Sequence, residues 1–249
     1  MNTAKQELIK LYSKQLRLPT FTRFQDVIRG LNSDEGYEDF LIEIMKKELD
    51  ERGAKSQIGR IKKAGFPITK TMEEFDLSRL EHVSEGEIRQ LASCDFVRQK
   101  QNVVMIGNPG SGKTHLSIAL GMNACKVGMR VKFYTAVNLA TELAEAAQFN
   151  RLSKVERGLQ KTDLLIIDEL SYLTFNRYQS EMLFQVISER SEKASVIINT
   201  NLEFSEWTQL FDNEMLLGAL IDRITFHAHI LNMNCENSYR IENCLQKQS

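Results

Sequence analysis

Residues 107–115 read GNPGSGKTH, entered through the apolar run NVVMI at 102–106 and left through LSIAL at 116–120. The first flank has the composition of a strand and the second opens a helix, so three glycines and a proline stand where a strand turns into a helix. Glycine permits positive φ and close approach of the backbone, and the first turn of a helix leaves its N–H groups without intrahelical partners. Such a turn offers a ring of donors to an anion. Gly107 to Thr114 fits the GxxxxGK[ST] phosphate loop, with an additional glycine at 110. In this reading Gly107, Asn108, Pro109, Gly110, Ser111 and Gly112 cradle a nucleoside triphosphate, ATP. Lys113 bridges its β- and γ-phosphates, the Thr114 hydroxyl binds Mg²⁺, and His115 stands in the first helical turn.

Outward from the loop, short apolar runs rich in β-branched residues recur at 131–135 (VKFYT), 164–168 (LLIID), 195–200 (SVIINT) and 229–233 (HILNM). Helical patterns are predicted at about Ser84–Lys100, Thr114–Lys126, Val137–Phe149, Gln179–Ser191 and Asn213–Phe226. Strands alternating with helices imply right-handed crossovers, so the fold class is α/β: a P-loop core with a parallel five-stranded sheet covered by helices. In LLIIDE, Asp168 ends a strand, where its carboxylate can complete a Mg²⁺ shell; Glu169 follows as a candidate general base for water. Lys113 and Asp168 lie 55 residues apart, room for a helix, the strand at 131–135 and a second helix. That additional strand marks the branch of P-loop proteins whose catalytic Glu adjoins the metal-binding Asp.

Upstream, apolar residues recur at helical spacing: Leu8, Leu11, Tyr12 and Leu16; Phe24, Val27, Ile28 and Leu31; then Tyr37, Phe40, Leu41, Ile44, Met45 and Leu49, with Asn32 or Ser33 as a cap. Pro67 breaks the pattern, which places a boundary near residue 68. Residues 1–68 are expected to form a small helical module that binds DNA or a partner, and 69–249 the ATPase core. The chain of 249 residues is 42% apolar and 26% charged with net charge −1, ordinary for a globular protein and incompatible with a uniformly basic nucleic-acid coat. A local basic face remains open, since residues 1–70 carry 14 Lys and Arg against 10 Asp and Glu. Three patches suit the phosphates of double-stranded DNA or, equally, a solvated helix face. They are the acid-free run Arg52, Lys55, Arg60, Lys62 and Lys63; the helically spaced Arg151, Lys154, Arg157 and Lys161; and Arg177 within YLTFNRY, beside Tyr172, Phe175 and Tyr178. No helix-turn-helix or finger pattern offers base recognition, so duplex binding should be largely non-specific. Cys94, Cys125, Cys235 and Cys244 form no CxxC pair, and no apolar run approaches the length of a membrane span. A reducing cytoplasm and no membrane are therefore expected. His227, His229, Cys235 and Cys244 match no common zinc spacing.

The segments GNPGSGKTHLSIALG, LLIIDELSYL, VIINTNLEFSEW and LIDRITFHAHI and a late SYR, with Phe66–Pro67 and Phe75–Asp76 ahead of them, resemble the IstB family of insertion-sequence helper ATPases, kin of the DnaC-type helicase loaders. The resemblance implies an AAA+ core and covers almost the whole chain. It places Asn201 at the sensor position, a polar side chain at a strand end facing the γ-phosphate. It makes Arg223 the arginine that reaches a neighbouring subunit's γ-phosphate, and leaves the role of Arg240 open. It also implies an ATP-dependent homo-oligomer that assembles on duplex DNA and remodels it, with a cognate transposase as partner. Departures are few: Ser171 stands where the family usually has Gly, Asn199–Thr200–Asn201 replaces TSN, and Phe226–His227–Ala228–His229 replaces a His pair. Only 26 residues follow Arg223, enough for one strand and a tail, so a full helical lid is not expected and a second subunit should cover the nucleotide. The alternative within this kinship is a replicative helicase loader that docks residues 1–68 on a helicase. A small-molecule phosphotransferase would need an arginine-bearing lid insertion, which is not evident, and Glu169 with Asn201 speaks against a switch that does not hydrolyse.

Overall fold

A computed structural model describes residues 3–30, 36–171, 175–210 and 214–235. The chain separates into two compact units, Met1–Gly59 and Arg60–Ser249. In the first, α1 (Thr3–Gln15), a 3-10 turn (Pro19–Arg23), α2 (Phe24–Ile28) and the long α3 (Tyr37–Ala64) follow in order. Phe24 and Val27 of α2 meet Ile44 of α3 in a small core, with Ile9, Phe21 and Phe40 packed against it. Glu48, 4% exposed, ties α3 to the turn: it accepts from the Thr20 N–H at 2.9 Å and from Arg52 Nε at 2.7 Å. The proposed caps Asn32 and Ser33 lie outside the described residues. The division between Gly59 and Arg60 falls within α3, which runs without a break to Ala64. Ala64 is fully buried in the core of the second unit and Ile61 packs against that core.

The second unit contains α4 (Glu85–Ala92), α5 (Asp95–Arg98), β1 (Asn102–Ile106), α6 (Lys113–Lys126), β2 (Val131–Thr135), α7 (Ala136–Gln148), α8 (Leu152–Gln160), β3 (Leu164–Leu170), α9 (Arg177–Lys193), β4 (Ser195–Thr200), α10 (Glu214–Thr225) and β5 (Ala228–Asn232). The five strands pair in parallel in the order β2-β3-β4-β1-β5. β4 thus separates the strand that enters the phosphate loop from the strand that carries Asp168. Successive residues of β1, β3 and β4 enter opposite cores, as the two-residue period of a strand demands. Val103 and Met105 join Leu116, Leu120, Ile166 and Ile197 on one face. Val104 and Ile106 join Leu139, Leu143, Leu183, Ile198 and Trp207 on the other.

The structure departs from the sequence reading in one helix. The helix expected over Ser84–Lys100 is split at Cys94, whose φ of 63° is left-handed. Ser93 and Asp95 close a local hydrogen-bonded pair around that residue, which competes with helix continuation. The second basic patch keeps the helical spacing read from the sequence: Lys154 and Arg157 lie on α8, Arg151 and Lys161 at its two ends, and α8 turns Leu152, Val155 and Leu159 toward the core.

Candidate nucleotide site

All parallel strands end on the same side, and the loops leaving β1, β3, β4 and β5 converge there, the usual place for a ligand in an open α/β sheet. Gly107 leaves β1 with its N–H bonded to the Thr200 carbonyl of β4 at 3.2 Å. A side chain at Gly107 is excluded, because a Cβ would lie 2.6 Å from both C and O of Met233, where β5 ends. Asn108 then clasps the same segment. Its Nδ2 donates to the Cys235 carbonyl at 2.7 Å, its Oδ1 accepts from the Cys235 N–H at 3.2 Å, and its own N–H donates to Asn234 Oδ1 at 2.9 Å. Gly110 and Gly112 take φ of +84° and +95°, a region that favours glycine. The loop wraps so that the Lys113 ammonium donates to the carbonyls of Gly107 and Asn108, at 2.6 and 2.9 Å, and to Ser111 Oγ at 3.3 Å. His115, two residues further along α6, is held by the chain ahead of α4. Its Nε2 lies 3.0 Å from the Thr71 carbonyl, and the Phe75 ring meets it edge-on at 5.2 Å.

Beneath the loop, Thr114 Oγ1 donates to both oxygens of Asp168, at 3.1 and 3.0 Å. Asp168 is buried near the end of β3, with Asn199 Nδ2 donating to its Oδ1 at 2.8 Å. A hydroxyl and a carboxylate side by side form an all-oxygen donor set, which suits a hard divalent cation such as Mg²⁺. Glu169 is exposed and lies in an irregularity between Ile167 and Leu170, with φ +58°. Alternation along a regular strand would place it opposite Asp168 across the sheet, and the register shift interrupts that alternation. Asn201 is exposed just past the end of β4.

Arg223 stands elsewhere. It lies in the last turn of α10, whose Ile224 carbonyl is bonded by Asn102 Nδ2 at the start of β1. The phosphate loop begins at the other end of that strand. Arg223 Nε pairs with Glu192 at 3.0 Å, its Nη1 bonds Ser188 Oγ, and both of those residues are on α9. The sheet therefore separates Arg223 from the loop of its own chain.

The basic patches divide by what holds them. Arg52 is bound to Glu48 and to the Arg17 carbonyl, and Arg60 donates to the Cys125 carbonyl at 2.9 Å near the end of α6. These two guanidiniums have structural partners. Lys55 lies 3.9 Å from Glu51 with its chain exposed, and Lys62 and Lys63 are exposed. Arg151, Lys154 and Arg157 are exposed along α8, and the Arg151 guanidinium stacks 5.2 Å from the exposed Phe149 ring. Arg177 pairs with Glu181 at 3.0 Å, Phe175 packs into the core, and Tyr172 lies outside the described residues.

The sequence reading passed over Asn199 and the Asn108–Cys235 clasp. A signal for the first was available: a polar side chain inside the apolar run SVIINT needs a buried partner. Nothing local announces the second, since 127 residues separate its members. Burial pushes the Cys94 and Cys125 thiols up to about 11, which leaves them protonated and unreactive. Among the described residues no group of three or more His, Cys, Asp and Glu side chains could hold a metal; Cys244 and Arg240 lie outside them, as do residues 236–249 of the segment on which the expected absence of a lid turns. No described helix is long and apolar enough to cross a membrane.

Known proteins resemble this chain along most of its length. A family model described as IstB-like ATP-binding protein matches residues 12–247. An ATP-binding protein named for insertion sequence IS21, from Pseudomonas aeruginosa, is 37% identical over 206 residues, 83% of this chain and 77% of the relative. One named for insertion sequence IS5376, from Geobacillus stearothermophilus, is 36% identical over 245 residues, 97% of each chain. Among solved structures, AMPPCP-bound DnaA from Aquifex aeolicus superimposes with a TM-score of 0.58 at 18% identity, covering 74% of this chain and 55% of that one, a likeness of fold.

Proposed function

The chain belongs to the IstB-like ATP-binding protein family of insertion sequences, and on that premise we propose that it is a Mg²⁺-dependent ATPase that assembles on duplex DNA and serves the transposase of its element. The observation that carries this reading is the separation of the site into two halves at opposite ends of one sheet. At the C-terminal ends of the strands stand the phosphate loop, the Thr114–Asp168 pair and Glu169; at the other end of β1 stands Arg223. A single chain cannot bring these halves together, whereas neighbouring copies stacked in one sense can.

Within such an assembly the roles follow from the chemistry of each group. The N–H groups of Gly110, Gly112 and Lys113 bind phosphate oxygens, and Lys113 exchanges its loop carbonyls for β- and γ-oxygens. Thr114 and Asp168 would hold Mg²⁺, which neutralises phosphate charge when bound. Glu169 takes the proton of the attacking water, Asn201 orients that water, and Arg223 of the next copy meets the charge that develops on the γ-phosphate. Arg223 leaves Glu192 for this purpose at small cost, because both side chains are about half exposed, 47% and 52%. Lys154, Arg157, Lys62 and Lys63 contact DNA phosphates. Direct contact with the transposase belongs to the same proposal and rests on the family's link to insertion sequences.

Subunit mixing tests the reading. Glu169→Gln should retain ATP binding and lose turnover by about 10²–10⁴-fold, and Arg223→Ala should lose about 10³-fold or more. Mixed in equal amounts, the two inactive proteins should recover about a quarter of wild-type turnover, since one interface in four joins an intact Glu169 to an intact Arg223. No recovery, with both variants shown to co-assemble, would refute action across a subunit boundary.

A further inference from the structure

Asn199 has no part in the roles above, yet it is the side chain that fixes Asp168. It sits on β4 one residue before the strand ends and is 1% exposed. Its Nδ2 donates to Asp168 Oδ1 at 2.8 Å and to Ser117 Oγ at 2.8 Å. Ser117 donates in turn to the Thr114 carbonyl at 3.1 Å, and Thr114 Oγ1 donates to both oxygens of Asp168. Residues from β3, β4 and α6 thereby close a buried network under the phosphate loop. Chemistry sets the orientation of the carboxamide. An ionised carboxylate only accepts, so the N–H₂ end must face Asp168, and the flipped amide would set acceptor against acceptor. In this orientation Asn199 Oδ1 is buried without a hydrogen-bond partner. An unsatisfied buried acceptor is destabilising, and an apolar residue of similar size would avoid it. Stability alone does not account for an asparagine here.

We propose that Asn199 is a positioning residue for the metal site: its amide keeps the Asp168 carboxylate turned toward Thr114 Oγ1, the pair that would hold Mg²⁺. This rests on the reading of Thr114 and Asp168 as the magnesium-holding pair. Without the amide, Asp168 keeps Thr114 as its side-chain donor and can rotate about its own bonds. Outer partners that orient a metal ligand typically change metal affinity by about 10–100-fold when removed.

The test is the binding of a fluorescent ATP analogue, titrated with Mg²⁺ and repeated in EDTA, for wild type, Asn199→Ala, Asn199→Leu and Asp168→Asn. In EDTA the Asn199 variants should bind within about twofold of wild type, since the loop and Lys113 carry the phosphates. The Mg²⁺ concentration for half-maximal tightening should rise about 10–100-fold. Asn199→Leu, which removes the partnerless acceptor, should melt no lower than wild type in EDTA. A purely structural role would lower the melting temperature and weaken binding equally with and without Mg²⁺; either that pattern or an unchanged Mg²⁺ midpoint overturns the proposal. If Asp168→Asn keeps the wild-type midpoint, the assignment of the pair fails and this inference falls with it. If the Asn199 variants do not fold, Ser117→Ala, which removes the second acceptor of the same amide, must raise the midpoint in the same direction or the proposal is abandoned.

Discussion

Glu169 and Gly107 show how much of the site is set by backbone rather than by side chains. Glu169 holds φ +58° without being glycine, a conformation that costs an L-residue about 1–2 kcal/mol. It coincides with the register shift between Ile167 and Leu170, next to Asp168, and backbone strain of this kind gathers at functional sites. Gly107 is governed by a neighbour instead of by φ. The carbonyl end of Met233 occupies the space a methyl group would need, at 2.6 Å, and Asn108 locks the following residues of the same segment in place. Since Met233 N also donates to the Ile106 carbonyl, the segment cannot withdraw without breaking the end of the β1–β5 ladder. Gly107→Ala is therefore expected to lower stability by about 1–3 kcal/mol and to weaken ATP binding as well, because the displaced backbone leads into the loop proposed to hold the phosphates. Urea unfolding midpoints and nucleotide titrations of the same preparation check both effects. Stability equal to wild type would mean that the exit of β5 yields more easily than its hydrogen bonds imply.

At the scale of elements, α3 depends on a buried charge. Burial alone would raise the Glu48 carboxyl, but the Thr20 N–H and the Arg52 guanidinium outweigh it and hold its pKa below the usual carboxylate range. A carboxylate whose pKa is lowered on folding contributes stability above its unfolded value, about 4.3, and loses that contribution as the pH falls through the folded value. Acidification from about pH 5 to pH 3 should loosen the tie between α3 and the Pro19–Arg23 turn, and hydrogen exchange in the first unit should accelerate over that window. Glu48→Gln should weaken the same tie at neutral pH and flatten the acid response. Elements also differ in how far the sequence discloses them. The five strands were legible because a strand covered on both faces is an apolar run, and the runs at 102–106, 131–135 and 195–200 match β1, β2 and β4 residue for residue. The phosphate loop was legible because its glycines answer a local demand. The break at Cys94 was hidden, since a left-handed cysteine has no local signature, and the extension of α3 to Ala64 was hidden because its last turns meet partners distant in the chain. Asn199 escaped for a related reason. Every residue of β4 is buried, so alternation could not indicate which of its polar side chains faces Asp168.

For the whole molecule, a net charge of −1 means that any affinity for DNA must come from the arrangement of charge and not from its total. α8 is built for such an arrangement. Leu152, Val155 and Leu159 turn inward, while Lys154 and Arg157 stand exposed on the other side, so the two cations can be removed without touching the core. Arg52 offers the contrast, since its guanidinium is engaged by Glu48 and by the Arg17 carbonyl. Each phosphate contact contributes about −0.9 to the slope of log affinity against log salt. Lys154→Ala with Arg157→Ala should therefore reduce that slope by about two units and weaken binding equally on duplexes of unrelated sequence. Arg52→Ala should leave the slope unchanged and instead lower the stability of the first unit. Fluorescence anisotropy at several salt concentrations, with the ATP-loaded Glu169→Gln protein to hold one nucleotide state, separates the two. An unchanged slope in the α8 double variant would move the phosphate contacts to Lys62 and Lys63, and a slope that falls only for some sequences would mean that this surface reads bases.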